Sequence, residues 1–93
     1  MDALQKSLTY NKILNMKSLE EFVVLFAEQF DETEVGEFKA DTKFRDLDEW
    51  SSIIGLSIIA MVDEEFEVAL KADDMKKAIT VGDLYEIVKD KLA

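Results

Sequence analysis

Residues 52–66 read SIIGLSIIAMVDEEF, and positions 53–62 within them form the longest mostly apolar run of this 93-residue chain. The run is too short to cross a membrane, and it is interrupted by Gly55 and Ser57. A strand is possible for residues 53–59, but the length of the run and the helical patterns on either side of it favour a helix. We therefore predict a helix over residues 52–66.

Apolar residues on both sides of this run recur with the period of an α-helix. After Ser18 they occupy one helical face at Leu19, Phe22, Val23, Phe26 and Phe30. Near the other end of the chain the same spacing is found at Val81, Leu84, Tyr85, Val88 and Leu92. Ser18 with Glu21 has the spacing of a capping box, and Thr80 with Asp83 resembles a weaker one, so both helix starts are marked chemically.

The segment between the first two helices is long, polar and acidic. It covers residues 31–50, and a connection of that length is usually functional or anchored to the core. We expect Phe38, Phe44 and Trp50 to tether it. Asp73 is predicted to cap one short helical turn through residues 75–77. The chain is thus predicted to be all-α, with four helices, a long first loop and a short third helix.

Charge divides the chain into two parts. Residues 1–16 have a net charge of +1 and only a weak helical spacing, so we predict an N-terminal extension. Residues 17–93 have a net charge of −11 and are predicted to form one domain. We expect the protein to be a monomer.

Composition excludes several classes of function. Asp and Glu total 21 against 11 Lys and Arg, a balance that argues against nucleic acid and anionic membranes as partners. The chain contains no Cys and no His, so it has no thiol nucleophile, imidazole base, disulfide or Cys/His zinc site. The acidic clusters at 31–34 and 46–49 lack the calcium-loop pattern, and a solvated acidic face is the favoured interpretation. Because no export signal is recognisable, we expect a cytoplasmic protein.

The predicted helix over residues 52–66 is apolar around nearly its whole circumference. Its core stripe is expected at Ile58, Ile59, Val62 and Phe66. The remaining apolar residues, together with an acid of the last turn, are predicted to form a partner-binding surface: Ile53, Ile54, Leu56, Met61 and Glu64. An exposed apolar patch of this kind usually marks a docking surface, and the alternative is that the long loop folds over it.

Two adjacent serines mark the start of this helix. A serine before an apolar helical run is most often an N-cap, which is the simpler interpretation of Ser51 and Ser52. The functional interpretation is that one hydroxyl carries a phosphate-linked group, because a helix N-terminus favours an anion.

From Lys17 to Leu92 the chain resembles the acyl carrier proteins, in particular the specialised carriers outside the housekeeping fatty-acid type. The segments that carry the resemblance are DTKFRDL at 41–47, WSSI at 50–53, SIIAMVDEEF at 57–66 and TVGDLYEIV at 80–88. The resemblance implies a four-helix bundle with a serine modified by 4′-phosphopantetheine from coenzyme A, which holds cargo as a thioester.

The resemblance also identifies the modified serine. Family members keep it in an Asp-Ser-Leu triplet, fourteen positions before the Phe that follows the acidic cluster. Here that count leads from Phe66 back to Ser52, with Ile53 in place of Leu and Ser51 in place of Asp. Ser51, Ile54 and Ser57 stand where the family has acids that recruit basic partner enzymes.

The implied partners are a phosphopantetheinyl transferase and the acyl-loading and acyl-processing enzymes of fatty acid, lipid or polyketide biosynthesis. The carrier is not itself an enzyme. The missing acids predict more apolar docking and a dedicated transferase or dedicated partner enzymes, while the overall charge still steers basic partners. The space between the helices is expected to be able to shelter an aliphatic chain. The alternatives are an acidic interaction module without the arm, and an aminoacyl or peptidyl carrier.

Overall fold

The computed structural model describes residues 17–92, so the predicted N-terminal extension lies outside the described residues. Residues 17–92 form four α-helices, namely α1 (Leu19–Ala27), α2 (Ser52–Phe66), α3 (Ala72–Lys77) and α4 (Val81–Leu92). In this part of the chain the β-structure is a single isolated bridge between Lys43 and Thr80. The prediction of an all-α fold is confirmed, and residues 52–66 are helical as expected.

The starts of α1 and α4 are capped as the sequence predicts. The Glu21 N–H donates to the Ser18 hydroxyl at 3.2 Å, and the Ser18 N–H donates to the Glu21 carboxylate at 3.4 Å. The Asp83 N–H donates to the Thr80 hydroxyl at 3.0 Å, and the Thr80 N–H donates to the Asp83 carboxylate at 3.0 Å. Each pair satisfies N–H groups that a helix start otherwise leaves without a partner.

The start of α3 differs from the prediction. The helix begins at Ala72, so Asp73 lies inside its first turn and is not the cap. The carboxylate that marks the start is that of Asp74, which accepts from the Lys71 N–H at 2.9 Å. An acid three residues after the cap position can reach back to that N–H group, whereas Asp73 is one residue too early for this geometry.

One apolar core joins the helices. Phe22 of α1 contacts α2 and α4, with ring centroids 5.7 Å from Phe66 and 5.4 Å from Tyr85. The largest fully buried side chains are Phe22, Phe26, Phe44, Ile58, Val62, Val81, Leu84 and Val88. Burial of this apolar surface is the main favourable contribution to the stability of the fold.

The long loop is held on this core by its aromatic residues, as predicted. Phe38 and Phe44 are buried, and Trp50 is half-buried with its ring centroid 5.0 Å from that of Phe44. The loop contains two 3₁₀ turns, Val35–Glu37 and Phe44–Asp46. Within residues 17–92, no helix is long and apolar enough to span a bilayer.

Candidate functional site

The two serines at the start of α2 have different structural roles. Ser51 is the N-cap, because its backbone is extended and its hydroxyl accepts the Ile54 N–H at 3.3 Å. Ser52 is the first residue of the helix, and its side chain is exposed. Among residues 17–92, the Ser52 hydroxyl has no hydrogen-bond partner, and because the residue is exposed the hydroxyl is accessible for reaction.

A groove of about 550 Å³ opens beside Ser52. Its walls come from the end of the long loop, from α2 and from α3. The apolar part of the lining consists of Trp50, Gly55, Leu56, Ile59, Ala72 and Met75. A volume of this size is within the range typical of small-molecule sites, about 300–1,000 Å³.

Gly55 leaves space in this groove. It is buried within α2, where glycine costs about 1 kcal/mol relative to alanine. A Cβ atom at this position would lie 3.5 Å from the Trp50 ring, which is ordinary van der Waals contact. Close packing therefore does not require glycine here, and the absent side chain enlarges the space between Trp50 and the helix.

Two cations complete the lining of the groove. They are Arg45, from the second 3₁₀ turn, and Lys76, from α3. The Arg45 guanidinium donates to the carbonyl oxygens of Met75 at 2.6 Å and Lys76 at 3.4 Å. Its central carbon lies 5.1 Å from the centroid of the Phe44 ring. These contacts connect the long loop to α3 and orient the guanidinium at the groove.

The predicted partner-binding residues do not all lie on the surface. Ile53 and Leu56 are 75% and 66% exposed, and Glu64 is exposed as well. Ile54 is half-buried against the core. Met61 is only 5% exposed, so the prediction that its side chain is exposed is wrong.

Met61 is buried because the core stripe of α2 is wider than the sequence suggests. At 100° per residue, the buried positions span about 140° of the helix circumference. Ile59, which we expected within the stripe, lies at its edge and is half-buried. The buried positions are Gly55, Ile58, Met61, Val62 and Phe66.

The acidic cluster at residues 46–49 holds the loop together. The Glu49 carboxylate accepts from the N–H groups of Asp31 at 2.6 Å, Glu32 at 3.0 Å and Thr33 at 2.8 Å, and from the Thr33 hydroxyl at 2.8 Å. Partial desolvation is the largest single influence and would raise the Glu49 pKa, but the four hydrogen bonds together outweigh it and lower the pKa. In the described part of the chain, no cluster of three or more acidic side chains is arranged to hold a metal ion.

Arg45, Lys76 and Gly55 were not identified as site residues from the sequence. Arg45 is one of three basic residues in the acidic segment 31–50, and Lys76 has the appearance of an ordinary cation at a helix C-terminus. The proximity of Arg45 and Lys76 depends on contacts between residues about thirty positions apart, for which the sequence contains no local signal.

Comparisons with family models, with curated proteins and with solved structures find no match to this chain. The resemblance to acyl carrier proteins therefore stays a prediction. Any functional conclusion depends on the residues described above.

Proposed function

We propose that this chain is an acyl carrier protein that holds acyl groups on a 4′-phosphopantetheine arm attached to Ser52. The observation that carries the proposal is the division of roles at the start of α2. Ser51 supplies the cap, and Ser52 presents an exposed hydroxyl, without a hydrogen-bond partner in the described part of the chain, beside a largely apolar groove. The order of the elements also supports it, since a long first loop, a serine at the start of the second helix and a short third helix are what the resemblance implies.

The residues around Ser52 fit such a group. The N-terminus of α2 favours a phosphodiester on the Ser52 oxygen, because its free N–H groups and helix dipole stabilise negative charge. No acid lies in the first turn of α2 to repel that charge. The adjacent groove provides apolar walls against which part of the arm or an aliphatic cargo can pack.

Attachment of the arm is a phosphoryl transfer that the partner transferase catalyses. The Ser52 oxygen attacks the phosphorus of coenzyme A that bears pantetheine, and the pyrophosphate bond breaks. Adenosine 3′,5′-bisphosphate leaves, and the serine proton passes to a base of the transferase. The bound arm then supplies the thiol that the chain itself lacks, and this thiol holds cargo as a thioester.

The surface around Ser52 suits partners that combine charge with apolar contact. The described residues have a strong excess of acids, which accelerates association with basic enzymes. Ile53 and Leu56 are exposed on α2 close to Ser52. We infer that loading and processing enzymes contact these two side chains. A dedicated transferase or dedicated partner enzymes would compensate for the acid that Ser51 replaces.

The proposal is tested by intact mass after incubation with coenzyme A and a broad-specificity phosphopantetheinyl transferase. We expect a gain of one phosphopantetheine group, which Ser52→Ala abolishes. A gain that persists in Ser52→Ala would contradict the assignment of the site. If unchanged protein gains nothing, the Ser51 variants described next separate poor recognition from a wrong proposal.

Variants of Ser51 test whether its replacement of Asp limits recognition. Ser51→Asp keeps an N-cap acceptor and adds the charge, whereas Ser51→Asn keeps the cap without the charge. We expect modification to be faster in Ser51→Asp than in Ser51→Asn. Ser51→Ala is a less suitable control, because loss of the cap costs about 1 kcal/mol of stability. No modification of any variant that retains Ser52 would contradict the carrier function.

The second candidate is an acidic interaction module without the arm. It is favoured by the exposure of Ile53 and Leu56, which could bind a protein partner permanently. Ser52→Ala distinguishes the two functions, since a carrier loses all activity while an interaction module keeps its partner. An aminoacyl or peptidyl carrier would use the same serine, and its loading enzyme would determine the cargo.

A further inference from the structure

The charge of the groove is opposite to the charge of the rest of the domain. Acids outnumber bases 20 to 9 among residues 17–92. The groove lining nevertheless contains two cations, Arg45 and Lys76, and no carboxylate. Neither cation forms an ion pair with a carboxylate of the described residues. A local reversal of charge at a cavity indicates a negatively charged ligand.

Arg45 is oriented before any ligand binds. Its hydrogen bonds to the Met75 and Lys76 carbonyls and its position over Phe44 restrict the side chain. These bonds use two of the five N–H groups of a guanidinium, and the others are available to a carboxylate. Such preorganisation reduces the entropy lost on binding. Lys76, which also lines the groove and is exposed, adds a second positive charge.

Apolar walls and cations in one groove suit a ligand that has both an apolar part and a negative charge. An unbranched fatty acyl chain would fill the apolar part but leave the two cations without a partner. A free anion such as inorganic phosphate would meet the cations but not the apolar walls. An acyl group that has a short aliphatic stretch and a terminal carboxylate matches both, and Ser52 on the lining of the same groove is the point from which the arm that bears this group would extend.

We propose that the groove beside Ser52 holds the free carboxylate of a dicarboxylic acyl cargo through Arg45 and Lys76. This inference rests on the proposed carrier function, because it takes the cargo to be tethered through Ser52. It makes the two cations determinants of cargo specificity. They stabilise cargo that ends in a carboxylate over cargo of the same length that ends in a methyl group.

The test compares two four-carbon cargoes that differ in this one group. The chain is loaded by a phosphopantetheinyl transferase from butyryl-coenzyme A or succinyl-coenzyme A, and intact mass confirms the loading. We expect the succinyl form to have a melting temperature higher than that of the butyryl form by about 5 °C at low salt. High salt should reduce the difference, because it screens exposed charges.

Matched variants assign the effect to the groove. Lys76→Gln and Arg45→Gln should each lose most of the difference between the two cargoes. Lys76→Gln is the cleaner of the two, because Arg45 also connects the loop to α3. Lys77→Gln removes the same charge from the next residue of α3, which does not line the groove, and should keep the difference. Equal melting temperatures for both cargoes, or a difference that survives in Lys76→Gln, would overturn the inference.

Two further outcomes separate this inference from the proposed function. If the arm without cargo raises the melting temperature as much as the succinyl form does, the cations hold the phosphodiester and the cargo assignment is wrong.

If no variant that retains Ser52 gains mass, the carrier function is wrong. The groove is then tested through Ser52→Cys, whose thiol is unique in this chain. That thiol is coupled either to 4-maleimidobutyric acid or to N-butylmaleimide. A higher melting temperature with the acid supports a carboxylate site without a carrier, and equal values reject it.

Discussion

At the scale of single residues, hydrogen bonds from side chains to backbone N–H groups determine local order. The Glu49 carboxylate accepts from three consecutive backbone N–H groups, those of Asp31, Glu32 and Thr33, which are sixteen to eighteen positions away. It therefore closes the long loop on itself. The neighbouring serines show a similar specialisation, since the Ser51 hydroxyl accepts from the Ile54 N–H while the Ser52 hydroxyl has no hydrogen-bond partner within residues 17–92.

Replacing Glu49 by Gln should open this part of the loop. A glutamine side chain has one acceptor oxygen, and its NH₂ group would meet N–H donors that then lack a partner. We expect a lower free energy of unfolding and faster hydrogen exchange at the N–H groups of residues 31–33. Urea denaturation measures the free energy of unfolding, and amide hydrogen exchange measures the exchange rates. Asp48→Asn, at the exposed neighbouring acid, is the matched control and should change neither. Unchanged exchange in Glu49→Gln would contradict this role of the carboxylate.

At the scale of elements, the long loop packs closely against the start of α4. The Gly82 N–H donates to the Ala40 carbonyl at 2.8 Å, and the Val81 N–H donates to the Thr42 carbonyl at 3.1 Å. A Cβ atom on residue 82 would lie 3.0 Å from the Ala40 carbonyl oxygen, closer than such atoms normally approach. Glycine at this position lets the loop and the helix share these hydrogen bonds.

Gly82→Ala should therefore destabilise the protein although alanine is the better helix former. The added methyl group must displace the Ala40 backbone or break its hydrogen bond, at a cost of about 1–2 kcal/mol in the free energy of unfolding. Gly36→Ala is the matched control, because a Cβ atom there meets nothing within 4 Å. It should be neutral or stabilising by about 0.4–1 kcal/mol. Equal stabilities of the two variants in urea denaturation would refute the close-packing explanation.

At the scale of the whole molecule, carboxylates that accept backbone hydrogen bonds make stability depend on pH. The pKa of Asp74 is lowered, first by the hydrogen bond from the Lys71 N–H and further by Lys91. The pKa of Asp83 is lowered by hydrogen bonds from the Thr80 and Ile79 N–H groups. The pKa of Glu49 is lowered as well. A lowered pKa means that the ionised form binds these N–H groups more strongly than the protonated form does.

The direction of the pH dependence follows from these lowered values. Each carboxyl contributes its full stabilisation above its unfolded-state pKa, near 3.8 for Asp and 4.5 for Glu. The contribution is lost as the pH falls from there through the lower folded-state pKa. We expect the free energy of unfolding to fall over this acidic range. In Asp83→Asn this decrease in the free energy of unfolding should be smaller. Asp90→Asn changes an exposed carboxyl of the same helix, and its decrease should equal that of the unchanged protein. Urea denaturation at pH 7 and pH 3 measures the difference, and parallel curves for all three proteins would exclude a role for Asp83.

The sequence by itself determined the helices and most of their boundaries. Capping residues lie within four positions of the N–H groups they bind, and the helical period is a local property. Ser18 and Thr80 could therefore be assigned as helix caps without a structure. The burial of Met61 could not be predicted from the sequence, because the width of a core stripe depends on how closely the other helices and the loop surround α2.

Only the tertiary structure decided the composition of the groove beside Ser52. It brings Arg45 of the loop to the carbonyl groups of Met75 and Lys76 on α3, thirty and thirty-one positions along the chain. From the sequence, Ser51 and Ser52 were both candidates for the cap, and the hydrogen bond from Ile54 assigned the cap to Ser51. The physical reason is the range of the forces involved. Helix formation depends on neighbours within one turn, whereas a cavity and its charge arise from packing between segments that are distant in the sequence.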